Sequence, residues 1–216
     1  MSETTKGNKS ETIMIAIIDY NMGNLSSVKN ACDKIGASSK IVSKPENLKD
    51  YDKIILPGVG AYKDAMEHLK EFGLDDAIKQ FADTGKLVFG VCLGLQLLFD
   101  SSDEFCHTKG LGLIQGKVVA FDKSKFINTN LKVPQMGWNK ITTNNNKLFE
   151  NTQNPYLYFV HSYHIVCDNS CSIGETTYGY NFTSAVNYEN IYGLQPHPEK
   201  SHNEGLQILK NFCNFN

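Results

Sequence analysis

Residues 86–99, KLVFGVCLGLQLLF, constrain this chain more than any other stretch. A buried strand runs straight into an apolar helix, with Cys92 at the corner between Gly90 and Gly94. A turn that tight strains its central residue. It leaves no room for side chains on either side, and glycine supplies that room. The helix that follows aims its N-terminus at the thiol. Its partial positive charge and free N–H groups favour thiolate over thiol, and the N–H of Leu93 can receive an oxyanion. A cysteine in an apolar run is nevertheless most often inert core. A reactive thiol needs partners, and the rest of the chain must supply them.

The elements around this corner set the fold class. Apolar runs at 13–18, 38–42, 53–56 and 87–91 read as strands. Between them, 25–35, 61–72 and 74–82 carry helical periodicity, with Gly36 and Gly73 as stops. This alternation argues a parallel sheet covered on both faces. After residue 110 the character changes. Strand-like runs at 116–121, 133–141, 156–163, 172–178, 184–188 and 191–195 are divided by Asn-, Gly- and Lys-rich turns, and a last helix spans about 203–212. The expected architecture is α/β, with a mostly parallel central sheet flanked by helices and an additional antiparallel or mixed sheet.

With 216 residues, 41% hydrophobic and 20% charged, the chain has the profile of one globular domain. We expect that domain over 13–216, with the polar residues 1–12 as a flexible extension. A net charge of −2 gives no electrostatic footprint for nucleic acid. No apolar run has the length of a membrane span. The six cysteines are scattered without the spacing of a disulfide framework or a zinc site, which suits a reducing, cytoplasmic location.

A catalytic cysteine needs a base, a group that orients the base, and an oxyanion hole. Gly193-Leu194-Gln195-Pro196-His197-Pro198-Glu199 offers the first two. Proline biases the residue before it to extended backbone, where residues two apart share a side. His197 and Glu199 then project together, so the carboxylate can accept from one imidazole nitrogen while the other faces Cys92. Glu199 can equally serve as an acid at the start of the next helix. The loop Pro57-Gly58-Val59-Gly60 leaves a strand end in the same sheet, where α/β ligand crevices lie. The N–H of Val59 can complete an oxyanion hole with that of Leu93, although a plain turn reads the same way. Gln96, one helical turn past Cys92, can present its amide to a substrate. Glu104 can pair with a substrate ammonium or simply face solvent.

Together these residues resemble the class I (triad-type) glutamine amidotransferases over nearly the whole chain after the first dozen residues. The matching stretches are IAIIDYNMGNLSSV, ILPGVGAY, GVCLGLQLLFDSS, GLGLIQGKVVAF, VPQMGWN, YFVHSYH and GLQPHPEKS. The elbow with PHPE marks the superfamily. DYNMGNLSSV, PQMGWN and YFVHSYH mark the branch of glutaminase subunits of imidazole glycerol phosphate synthase, in histidine biosynthesis. The resemblance implies Cys92 as nucleophile, His197 as base and acid, and Glu199 as its orienter. Gly58, Val59 and Leu93 become the oxyanion region, and Gln96, Glu104, Ser162 and Tyr163 the holders of glutamine. It implies a (β/α)8-barrel synthase as partner in a heterodimer, with Asn24, Trp138, Tyr158, His161 and Lys200 at the interface. No cofactor and no metal are implied. An amidotransferase domain of this size uses the whole chain, so the acceptor of the ammonia is expected on that partner.

Two positions depart from the family's pattern: Pro196 replaces an aromatic residue and Gln135 a common histidine. Three alternatives stay open at this point. The chain can serve a paralogous synthase that aminates sugars for surface glycans. It can be a free-standing γ-glutamyl cysteine hydrolase, or a binding protein without catalysis.

Overall fold

The computed structural model describes residues 13–127 and 129–215. The extension expected over 1–12 lies outside them. The first half alternates strand and helix: β1 (Ile15–Ile18), α1 (Leu25–Lys34), β2 (Ser39–Val42), β3 (Lys53–Leu56), α2 (Tyr62–Glu71), α3 (Leu74–Asp83), β4 (Leu87–Val91) and α4 (Leu93–Leu97). The second half is mostly strand: β5 (Phe99–Ser102), β6 (Thr108–Lys109), β7 (Ile114–Ala120), β8 (Gln135–Lys140), β9 (Thr142–Thr143), β10 (Tyr156–His161), β11 (Tyr163–Cys167), β12 (Ser172–Tyr178), β13 (Tyr180–Tyr188) and β14 (Ile191–Leu194). Helix α5 (His202–Asn214) closes it.

The main sheet has the order β2-β1-β3-β4-β14-β13-β12-β9. Its first five strands are parallel, and β13, β12 and β9 continue it antiparallel. Successive residues of a strand point to opposite faces, so each strand splits its side chains between two cores. Ile15 and Ile17 of β1 pack with Val28 and Cys32 of α1 and Ile208 and Phe212 of α5. Ala16 and Ile18 pack on the other face with Met66 of α2, Ile78 of α3 and Leu95 of α4. The sheet is therefore covered on both sides, as the alternation of elements predicts. A four-stranded mixed sheet, β11-β7-β5-β6, and a two-stranded ribbon, β10-β8, stand beside it.

Four local expectations change. The apolar helix after Cys92 is only five residues long, and β5 begins at Phe99. The carbonyls that would continue it are taken by distant residues. Leu111 N–H donates to Leu97 O at 2.8 Å, and Ile114 N–H to Leu98 O at 3.0 Å. Tertiary pairing thus overrides an apolar run that reads as helix. The run 156–163 is two strands, because β10 pairs with β8 while β11 pairs with β7. Ser162 sits at the break. The run 133–141 shortens to β8, and β13 starts four residues earlier than expected.

The two elbow glycines are required by close packing. A Cβ on Gly94 would overlap the Leu56 carbonyl oxygen of β3, and one on Gly90 would lie 2.7 Å from the backbone of Leu95. Backbone cannot yield as a side-chain end can. Gly94→Ala should cost about 1–3 kcal/mol in urea unfolding. An unchanged midpoint would mean that α4 can lift off β3 freely.

Candidate active site

Cys92 stands between β4 and α4 with φ 54° and ψ −110°, outside the regions that L-residues favour. Such a conformation persists only where the surroundings enforce it. Here the Cys92 N–H is tied to Leu194 O of β14 at 2.8 Å, and the Cys92 carbonyl accepts from Gln96 N at 3.2 Å. The thiol opens into a cavity of about 430 Å³, whose walls include Val59, Leu93, Gln96, Glu104 and His197. Ser162, Tyr163 and His161 complete the side formed by the break between β10 and β11.

His197 follows β14 in extended backbone, and its Nδ1 lies 2.8 Å from Glu199 Oε1. Both side chains are 3% exposed. The Nε2 of His197 is buried, lines the same cavity wall as Cys92, and has no hydrogen-bond partner among the described residues. Burial opposes a charge on this ring, but Cys92 and the Glu199 carboxylate outweigh it and push His197 up to about 10. The backbone of β10 fixes the residue. His197 N–H donates to Tyr158 O at 2.9 Å, and its carbonyl accepts from Ser201 Oγ at 2.5 Å. Ser201 Oγ in turn accepts from Tyr158 N at 2.9 Å.

The loop after β3 packs directly on the start of α4. Tyr20 donates a buried hydroxyl to Pro57 O at 2.8 Å. Gly58 lies behind the wall, where a Cβ would come within 3.1 Å of Leu93 Cβ and would overlap the Tyr20 hydroxyl. Val59 is on the wall and 40% exposed. Gln96 points into the site but is already engaged. Its Nε2 donates to Tyr163 O at 3.0 Å and to Gln195 Oε1 at 3.1 Å. Glu104 also has a second duty. Its Oε2 accepts from Tyr62 N at 2.7 Å and so caps α2, whose own N-cap residue offers no side-chain bond.

The residues expected at a partner face divide. Asn24 is exposed and caps α1 by accepting from Ser27 N. Trp138 and Tyr158 face each other across the β8–β10 ribbon, with ring centroids 6.2 Å apart. Trp138 also stacks on His202. Lys200 is exposed beside Glu199. His161, in contrast, points inward: it is 6% exposed and lies on the cavity wall. Burial holds it down to about 3, so the ring is neutral. Its Nδ1 lies 2.8 Å from Tyr163 O and its Nε2 3.0 Å from Gln135 Oε1, two acceptors of which the neutral ring donates to one at a time.

Sequence reasoning passed over Gln195. It is fully buried, and its Nε2 lies 3.8 Å from Cys92 Sγ. Alternation along an extended segment does not reveal it, because the chain bends at Gln195 and Pro196 and Glu199 lies in a 3-10 turn over Pro198–Lys200, contrary to the extended run expected from the prolines. Val160, whose carbonyl lies 3.9 Å from Sγ, gave no signal either, because only its backbone is involved.

The folded-state value of His197 lies above its ordinary 6.5. The stabilisation it brings is therefore complete below about pH 6.5 and lost as pH rises through about 10. Glu199→Gln should lower Tm most below neutrality, and the gap to the unmodified chain should close through that alkaline window. A gap independent of pH in calorimetry would rule out a charged His197.

The sequence model of the family Glutamine amidotransferase class-I matches residues 16–214. Over 204 residues the chain is 61% identical to the imidazole glycerol phosphate synthase subunit HisH of Sulfurimonas denitrificans, covering 94% of this chain and 98% of that protein. The HisH subunit of Wolinella succinogenes is 49% identical over 203 residues, 93% of this chain and 98% of its own. A chain of the PurLQS structure from Thermotoga maritima superposes with a TM-score of 0.73 at 22% identity, covering 94% of this chain and 98% of that one. This last likeness is one of fold. The match spans nearly every described residue, as the resemblance of the sequence did: the chain belongs to the class I glutamine amidotransferases.

Proposed function

We propose that this chain is the glutaminase subunit of imidazole glycerol phosphate synthase, and that residues 13–216 form one amidotransferase domain. It hydrolyses glutamine to glutamate and ammonia and passes the ammonia to a (β/α)8-barrel synthase in histidine biosynthesis. The observation that carries this reading is one cavity shared by Cys92, on its strained corner, and by a His197 locked to Glu199. The names of the relatives favour the histidine pathway over sugar amination.

The chemistry follows from the charges. Cys92 Sγ attacks the side-chain amide carbon of glutamine, and the oxygen that becomes negative is received by backbone N–H groups of Leu93 and Val59. His197, charged at rest, gives its proton to the departing nitrogen, and ammonia leaves. The sulfur of the resulting thioester carries no charge. One of the two groups that held His197 protonated is then gone, so the ring can take a proton from water. The hydroxide attacks the thioester carbon, glutamate leaves, and Sγ is regenerated. Glu104, with Oε2 on Tyr62, has its second oxygen for the substrate ammonium, and Ser162, Tyr163 and Gln96 line the rest of the glutamine site.

The partner reading rests on the ribbon beside the cavity. Met136, Trp138 and Tyr156 are 65%, 47% and 56% exposed, an apolar strip continuous with Val160 on the cavity wall. Free ammonia in water is mostly protonated and inert as a nucleophile, so an acceptor docked on this strip, with Asn24 and Lys200 at its margin, makes chemical sense. Reorientation of the Gly58–Val59 peptide would complete the oxyanion hole on docking. One such donor is worth about 2.7–4 kcal/mol of barrier. Among the described residues no helix is long and apolar enough to cross a membrane, and a cytoplasmic location belongs to the same proposal.

Cys92→Ser should abolish glutamine-dependent synthesis by the complex and spare synthesis from added ammonium salts. Loss of both would make Cys92 structural. Glutaminase activity should rise steeply when the synthase and its ligand are added, and full activity of the chain alone would refute the gating. Trp138→Ala should weaken the complex by about 30-fold in calorimetric titration. An unchanged Kd would move the interface elsewhere.

A further inference from the structure

We propose that Gln195 is a positioning residue for Cys92: its side-chain amide donates to the sulfur and holds it as the thiolate facing His197. This rests on Cys92 being the nucleophile and adds a residue to that site.

Two groups lie within hydrogen-bond reach of the sulfur, and they pull in opposite directions. Val160 O, at 3.9 Å, can only accept, so it favours the protonated thiol. Gln195 Nε2, at 3.8 Å, can only donate, so it favours the thiolate. The direction of the amide is not free. Tyr163 O is a backbone acceptor, so the Gln96 side chain must turn its NH2 group towards it. That same NH2 group donates to Gln195 Oε1 at 3.1 Å. With its oxygen occupied, Gln195 presents its NH2 group to Sγ. The polarity of the whole chain, from Tyr163 through Gln96 and Gln195 to Cys92, is thus fixed by one main-chain carbonyl.

The setting favours this reading over simple packing. Gln195 is 0% exposed, and its backbone N–H donates to Ser184 O at 2.8 Å, so side chain and main chain are both held. Burying an amide costs free energy that a leucine of similar size would not incur. An amide kept there and aimed at a thiol is explained by what it donates to. Gln96 then acts partly through Gln195, locking its orientation.

The test reads thiolate directly. The full chain, without glutamine or partner, is treated with iodoacetamide across a range of pH, and each cysteine peptide is followed by mass spectrometry. Cys106 is exposed and serves as the reference in the same sample. In Gln195→Leu the Cys92 rate should fall at least about tenfold near neutral pH, the loss of one hydrogen bond to a charged group. It should converge with the unmodified chain in alkali, with Cys106 unaffected. Gln195→Glu keeps the shape but sets an acceptor against the sulfur, and should fall further. Gln96→Leu, which frees Gln195 to turn, should fall by less than Gln195→Leu. An unchanged Cys92 profile in a folded Gln195→Leu or Gln195→Glu variant overturns the proposal. If Gln195→Leu does not fold, the near-isosteric Glu variant decides. Glutamine hydrolysis by the unmodified chain with its synthase is measured on the same preparation. Its absence refutes the proposed function, whereas an unchanged alkylation profile beside normal hydrolysis refutes only the role of Gln195.

Discussion

The close crossing of α4 over β3 and β4 is the constraint on which the rest depends. Gly94 touches Leu56 and Gly90 touches Leu95 with no side chain between them. That contact forces the chain to reverse at Cys92 within one residue, and the reversal produces its unusual backbone angles. Because β4 is central, its neighbours' exits must emerge on either side of the same corner. Leu56 pairs with Gly90 on one side, and Leu194 pairs with Val91 on the other. The Pro57–Gly60 loop and the Gln195–Glu199 segment therefore flank the thiol as a consequence of strand order.

The second organising feature is the ribbon β8–β10. Its inner side holds the backbone of His197 through Tyr158 and Ser201, and its outer side exposes Trp138 and Met136. The ribbon thus fixes a buried imidazole through β10 and presents an apolar surface on β8. Any partner seated on that surface would press on the element that fixes the ring. The Glu199 carboxylate and Cys92 together offset the cost of burying the charge.

Much of the fold was legible because it rests on periodicity. The alternation of strand and helix up to residue 91 predicted a parallel sheet with two covered faces, and the two cores divide accordingly. Errors gathered where distant segments compete for backbone groups. Residues 93–99 read as helix, but Leu111 and Ile114 take the carbonyls that would extend it. Residues 156–163 read as one strand, but the two ends pair with different sheets, and the kink at Ser162 has no local signal.

The site divides along the same line. Cys92, His197 and Glu199 could be singled out from the sequence because glycine and proline fix local geometry, and local geometry decides which side chains share a side. Proline holds His197 extended and opens the 3-10 turn that brings Glu199 back to its ring, where the sequence suggested an extended run, and glycine permits the corner at Cys92. Only the tertiary structure decided that Gln195 Nε2 reaches the sulfur and that His161 turns inward to Tyr163 and Gln135. It also decided that Glu104 caps α2 while lining the cavity. Each of these depends on a hydrogen bond between residues far apart in the chain or across a strand break. The partner of such a bond is fixed by packing, which no window of sequence contains.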